Sequence, residues 1–226
     1  ADRALVVNRV VIRNTDLEVR QLPNGEWWIQ GIALKDLPIE QPGAGGDMGD
    51  IEVIAEEVAL NLILPGDDQS KAFEISRLSV RSEEQRLTLD GLVALPDSLG
   101  SQLRIGATQL LDGSRNGGGW DINLDARELN LEGVAALDQS RGWPVSSGSG
   151  DIDASLAWVG GRIQSAAAEF SLDQVSFGAR EQFSMVGRLE YHRDPDGWLA
   201  VADDFQISTA SGSWPESSLK LETSID

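Results

Sequence analysis

Residue types that most often carry chemistry are scarce in this chain. It has one histidine, His192, within Tyr191-His192-Arg193-Asp194, and no cysteine. A serine hydrolase needs a histidine poised beside an activated serine. No Gly-x-Ser-x-Gly elbow is present, and Ser147-Gly148-Ser149-Gly150 reads as a turn-like linker. The lack of cysteine removes disulfides, thiol catalysis and thiolate metal sites. One stretch partly fits a calcium loop. Asp121, Asn123 and Asp125 hold the first three ligand positions and Glu132 the twelfth. Ala126 stands where that loop needs glycine, and Ile122, Leu124 and Leu129 alternate as in a strand. A strand with a polar outer face is therefore expected, with no metal and no other cofactor.

Close carboxylates such as Asp67-Asp68, Asp203-Asp204 and Asp151 with Asp153 are common by chance among 37 acidic residues. A glycosidase requires two of them across a cleft; a solvated strand face is the simpler expectation. No glycine-rich phosphate loop is visible. Of the seven tryptophans, Trp158 falls on an apolar strand face. Trp120, Trp198 and Trp214 fall at strand starts or turns, where an indole can pack while its N–H finds a partner. Core packing is the expected role, and sugar platforms are the alternative. The expectation is a protein that is not an enzyme.

The elements that would position these groups are strands. Strict alternation of apolar and polar residues marks a half-buried strand. It is clearest in Ile152-Asp153-Ala154-Ser155-Leu156-Ala157-Trp158, in Phe183 to Tyr191 and in Leu219 to Ile225. Further runs fall near 3–13, 16–22, 26–35, 51–64, 72–81, 87–95, 102–111, 122–131, 162–173 and 198–208. Turn chemistry separates them at Pro23-Asn24-Gly25, Pro65-Gly66-Asp67, Asn116-Gly117-Gly118 and Asp194-Pro195-Asp196-Gly197. The last makes 182–192 and 198–208 a hairpin. Gly43-Ala44-Gly45-Gly46 reads as a mobile loop. Leu131, Val134 and Leu137 alone have helical spacing, giving one short helix near 131–140. The fold class is all-β: a long meandering antiparallel sheet, either packed as a sandwich or curled into a groove.

The 226 residues carry a formal charge of −19, which repels phosphate backbones and acidic membrane surfaces. Nucleic acid is not expected as a partner. No apolar stretch reaches the length of a membrane-spanning helix. The chain is expected to be one continuous segment, 1–226, of a longer protein, with a sub-boundary to be looked for near 142–149.

Several motifs, in order, resemble those of the YhdP-type AsmA-like proteins of Gram-negative bacteria. They are Leu95-Pro96-Asp97-Ser98-Leu99-Gly100-Ser101-Gln102-Leu103, Trp120-Asp121-Ile122-Asn123-Leu124 and Leu129-Asn130-Leu131. They continue with Gly150 to Trp158, Gly187-Arg188-Leu189-Glu190-Tyr191, Asp196-Gly197-Trp198 and Ser213-Trp214-Pro215. Leu5 to Asn14 and Leu17-Glu18-Val19-Arg20 fit less distinctly. The resemblance implies a repeating β-groove with an apolar concave side, in the periplasm. The full-length protein would be tethered to the inner membrane by an anchor lying before Ala1. It also implies carriage of phospholipid towards the outer membrane, with phospholipid acyl chains as ligand and other envelope proteins as partners.

The residues add a candidate lining. Alternate side chains of a strand share a face. On that parity Ile152, Leu156, Trp158, Phe170, Leu172, Phe183, Met185, Leu189, Leu199, Val201, Phe205, Ile207, Leu219 and Leu221 point inward. Such a lining would take acyl chains out of water at about 0.8 kcal/mol per CH₂, with no bond made or broken. At ~4.8 Å per strand, about a dozen strands advance roughly 60 Å, one section of a conduit. The alternatives are a closed β-sandwich that recognises glycan or protein in the envelope, and a hydrolase built on an acidic pair.

Overall fold

A computed structural model describes residues 8–33, 51–66, 70–83, 86–110, 119–137, 144–178 and 181–224. Gly43 to Gly46, Asn116 to Gly118 and Trp143 lie outside them. The alternating runs form strands β1 (Arg9–Gln21), β2 (Trp27–Ile29), β3 (Ile32–Ala33), β4 (Ile51–Ile63), β5 (Lys71–Glu83), β6 (Arg86–Ala94) and β7 (Gln102–Leu110). They continue as β8 (Trp120–Asn130), β9 (Val145–Val159), β10 (Arg162–Phe177), β11 (Phe183–Asp194), β12 (Gly197–Thr209) and β13 (Gly212–Ser224). One helix, α1 (Leu131–Leu137), follows β8, and the Asn130 side chain accepts the Gly133 N–H at 3.1 Å to cap it.

All thirteen strands belong to one open sheet, in the order β13-β12-β11-β10-β9-β8-β7-β6-β5-β4-β1-β2-β3. From β4 to β13 each strand pairs antiparallel with the next, as a meander. Two features depart from the sequence reading. β1 pairs with β4 in parallel, Val10 opposite Val53 and Leu17 opposite Leu60. A parallel pair needs a long connection, and the β2–β3 hairpin lies within it. The Ser147–Gly150 run, expected as a linker, lies inside β9. Gly148 (φ +137°) is there because α1 crosses the sheet at this point. A Cβ on Gly148 would stand 3.0 Å from the Leu131 Cδ1.

The ladder passes unbroken from β8 to β9 and β10. The Asp194–Gly197 turn closes the β11–β12 hairpin as expected. Pro23–Gly25 turns the chain with Gly25 N–H donating to Leu22 C=O at 2.8 Å.

Five strands contain a residue in the left-handed region: Asn14, Glu57, Glu128, Gln174 and Asp204, with φ between 50° and 55°. Each shifts the alternation of its strand by one, as the extra residue of a β-bulge does. Asn14 and Glu57 lie opposite each other, since Arg13 faces Glu56 and Thr15 faces Val58. Ladder shifts beside Glu128, Gln174 and Asp204 mark the same event in β8, β10 and β12. In β4, for instance, Ile51, Val53 and Ala55 share a face with Val58, Leu60 and Leu62 only because Glu57 intervenes.

Candidate functional site

Tracing the ladder assigns every strand residue to one of two faces. One row runs Ile122, Leu156, Ala166, Tyr191, Ala200, Leu221 from β8 to β13. The next runs Leu124, Ala154, Ala168, Leu189, Ala202, Leu219. Extending the second row backwards adds Ile105, Gly91, Leu78, Ala55 and Ile12. This face is apolar across the sheet. Further along the strands come Ile152 with Phe170, then Leu172 with Met185 and Ile207. Gly187 sits opposite Phe170, and a Cβ there would crowd Phe205 at 3.0 Å and Phe170 at 3.2 Å. Its absence lets the two phenyl rings meet edge to face at 6.4 Å.

The opposite face is polar. Its rows run Asn123, Ser155, Ala167, Glu190, Val201, Lys220 and Asp121, Ala157, Ser165, His192, Leu199, Glu222. Ion pairs stud it, between strands and, for Lys220 with Glu222, along one strand. Arg13 Nε meets Glu56 Oε2 at 2.7 Å, Arg81 Nη2 meets Glu52 Oε1 at 2.9 Å, and Lys220 Nζ meets Glu222 Oε2 at 2.8 Å. The hydrogen bond from Arg81 holds the Glu52 carboxyl below the usual carboxylate range, and that from Lys220 does the same for Glu222.

The sequence-derived lining therefore divides. Ile152, Leu156, Trp158, Phe170, Leu172, Phe183, Met185, Leu189, Phe205, Ile207, Leu219 and Leu221 share the apolar face. Leu199 and Val201 do not: they pair with His192 and Glu190 and lie on the polar face. The bulge at Asp204 is the cause. It places Phe205 and Ile207 on the same face as Ala200 and Ala202, so odd numbering does not continue across it. Ala200 and Ala202 are the β12 residues that strict alternation missed.

No second sheet covers the apolar face among the described residues. Trp158, Leu189, Leu219 and Leu221 keep 41%, 47%, 58% and 51% of their surface in contact with water. Among the described residues only Ile54 and Val58 are fully buried large side chains. A closed sandwich, which would seal such residues between sheets, is not this arrangement. The face has two unlike rims. At one, α1 and the Leu95–Ser101 turn are packed in, with Leu99 buried and Asn130 N–H donating to Leu99 C=O at 2.9 Å. At the other, Trp120 and Trp158 pair across β8 and β9, and Arg193 and Trp198 pair across β11 and β12.

The polar face holds two shallow hollows where small side chains line it. One of about 540 Å³ lies over Ser155, Ala157, Ser165 and Ala167, bordered by Asp121, Glu190 and His192. The other, about 450 Å³, lies over Ser79 and Gly106, bordered by Arg77, Arg104 and Asp153. Asp121 and Glu190 stand three strands apart, roughly 14 Å, beyond the separation used by a glycosidase pair. His192 is exposed and its Nε2 contacts Asp194 Oδ1 at 2.9 Å, with no serine in that contact. Asp121, Asn123 and Asp125 lie on one face of β8, while Glu132 lies in the first turn of α1. Arg127 Nε sits 2.7 Å from Asp125 Oδ1, an ion pair that helps hold the Arg127 guanidinium charged. Among the described residues no cluster of acidic or histidine side chains could hold a metal, and no helix is long and apolar enough to cross a membrane.

No family model, no curated protein and no solved structure matches the chain.

Proposed function

We propose that the apolar face is a lipid-carrying surface, one section of a periplasmic groove that moves phospholipid between the inner and outer membranes. The observation that carries this reading is an apolar face running across an open sheet, with no second layer over it among the described residues. Large exposed apolar patches mark interaction surfaces. Here the partner would be acyl chains, each CH₂ gaining about 0.8 kcal/mol on leaving water. Repeated Leu, Ile, Val and Ala rows offer no single deep well, so a chain can slide across strands rather than lodge. The resemblance to AsmA-like proteins supports periplasmic placement and inner-membrane tethering by a segment outside this chain. Nothing in the mechanism calls for catalysis or a cofactor.

The test is photo-crosslinking in the full-length protein in cells. A photoreactive side chain at Leu156, Leu189, Ala202 or Leu221 should give phospholipid adducts. The same group at Asp153, Glu190, Leu199, Val201 or Glu222, all on the polar face, should not. Equal labelling of both sets, or none at the apolar set with normal expression, refutes the proposal.

A further inference from the structure

The open rim of the apolar face has its own chemistry. Trp120 and Trp158 lie opposite each other there, and Ile163 continues the row on β10. Arg193 and Trp198 follow on β11 and β12. Tyr191 stands one step further in, its ring 6.3 Å from that of Trp198. Indole and phenol groups favour a boundary where one end is apolar and the other wet. Behind this row Ala154, Ala166, Ala168, Ala200 and Ala202 are interspersed with Leu156 and Leu189.

The charges at this rim are unspent. On the polar face Arg9, Arg13, Arg20, Arg81, Arg127 and Arg188 each meet a carboxylate. Arg193 makes no such contact among the described residues; nor do Arg77, Arg86 and Arg104, but those lie on the polar face, whereas Arg193 is half-buried on the apolar one. Three residues on, Asp196 in the β11–β12 turn is exposed and has no ion-pair partner among the described residues, while its neighbour Asp194 is held by His192. A cation at the margin of an apolar surface, with a free carboxylate beyond it, is complementary to a zwitterion. The net charge of −19 disfavours a ligand of net negative charge.

We infer that the Trp120–Trp158–Tyr191–Trp198 rim is a headgroup site for zwitterionic phospholipid. The phosphate meets Arg193, the ammonium faces Asp196, and the acyl chains run inward over the rows of leucine and alanine. This rests on the lipid-carrying reading and adds to it an orientation and a headgroup class. A guanidinium-to-phosphate bond is charge-assisted and therefore among the stronger ones.

The test uses the 226-residue chain and three dihexanoyl probes below their micelle concentrations: phosphatidylethanolamine, phosphatidylglycerol and the uncharged diacylglycerol. Binding is read from tryptophan fluorescence and calorimetry. The phosphatidylethanolamine should bind several-fold more tightly than either other probe. Arg193→Gln should weaken it about tenfold and leave the diacylglycerol unchanged, while Arg193→Lys should restore most of the loss. Asp196→Asn should narrow the preference over phosphatidylglycerol. Circular dichroism checks that each variant is folded. If no probe binds, the lipid-carrying reading itself falls. Equal binding of all three, unmoved by Arg193→Gln, overturns the rim site and leaves that reading standing. So does an equal loss for all three, or displacement of the probe by a soluble oligosaccharide, which would make the rim a sugar platform.

Discussion

Truncating Leu189 should cost less than truncating the smaller Val58. Leu→Ala removes roughly three CH₂ equivalents, about 2.4 kcal/mol when fully buried. Leu189 already keeps 47% of its surface in water, so the transfer loss falls to about 1.3 kcal/mol. The vacated volume opens to solvent, so no cavity penalty is added. Val58 is fully buried. Val58→Ala loses about 1.6 kcal/mol of transfer and leaves a void of roughly 50 Å³, worth about 1.2 kcal/mol more. The expected order is therefore about 1.3 against about 2.8 kcal/mol. Both changes replace a good strand former by alanine, so propensity losses are similar and largely cancel. Urea unfolding of the two variants, with unchanged m-values, measures the difference. A cost of 3 kcal/mol or more for Leu189→Ala, or a cost above that of Val58→Ala, would mean that the apolar face is sealed in solution. The open-surface argument would then fail.

Two further outcomes follow from the polar face. Millimolar calcium should leave the melting temperature unchanged, because Glu132 lies in α1 away from the β8 carboxylates; a rise abolished by Asp121→Ala and by Glu132→Ala would contradict this. The Glu52 carboxyl is held low by its Arg81 hydrogen bond, so its contribution to stability is present above the unfolded value of about 4.3 and is lost as pH falls through the lower folded value. In Arg81→Gln the Glu52 titration followed by NMR should move upward, and an unchanged titration would show that the ion pair does not form in solution.

Most of this architecture was legible in the sequence because a strand with one wet face writes its period directly. Ile152-Asp153-Ala154-Ser155-Leu156-Ala157-Trp158 needed no tertiary information to be read as it folds. The same holds for the β11–β12 hairpin, whose turn residues fix its register, and for α1. The parallel β1–β4 pair was not legible, since pairing partners distant in sequence leave no local mark. The glycines of β9 misled because the reason for them lies elsewhere. Gly148 makes room for Leu131, a contact between elements that spacing alone cannot announce. The rim was half legible: Trp120 and Trp198 were placed at strand starts, but only the ladder showed that Trp120 faces Trp158 and that Arg193 shares their rim.

The misassignment of Leu199 and Val201 carries a wider lesson about long strands. Over thirteen residues a sheet accumulates twist, and a bulge both increases it locally and resets the alternation. The resetting residues here are Asn14, Glu57, Glu128, Gln174 and Asp204. Asparagine and aspartate tolerate the left-handed region best, and all five are polar, so each can spend its turn out of the ladder exposed. The trace they leave in sequence is a two-residue polar step between apolar positions. It is visible as Asp203-Asp204 between Ala202 and Phe205, and as Glu56-Glu57 between Ala55 and Val58. Strict alternation treats that step as one polar residue too many and continues on the wrong face. Read as a bulge, it keeps Ala200, Ala202, Phe205 and Ile207 together. The apolar face is then continuous past the bulges, which is what an uninterrupted path for acyl chains requires.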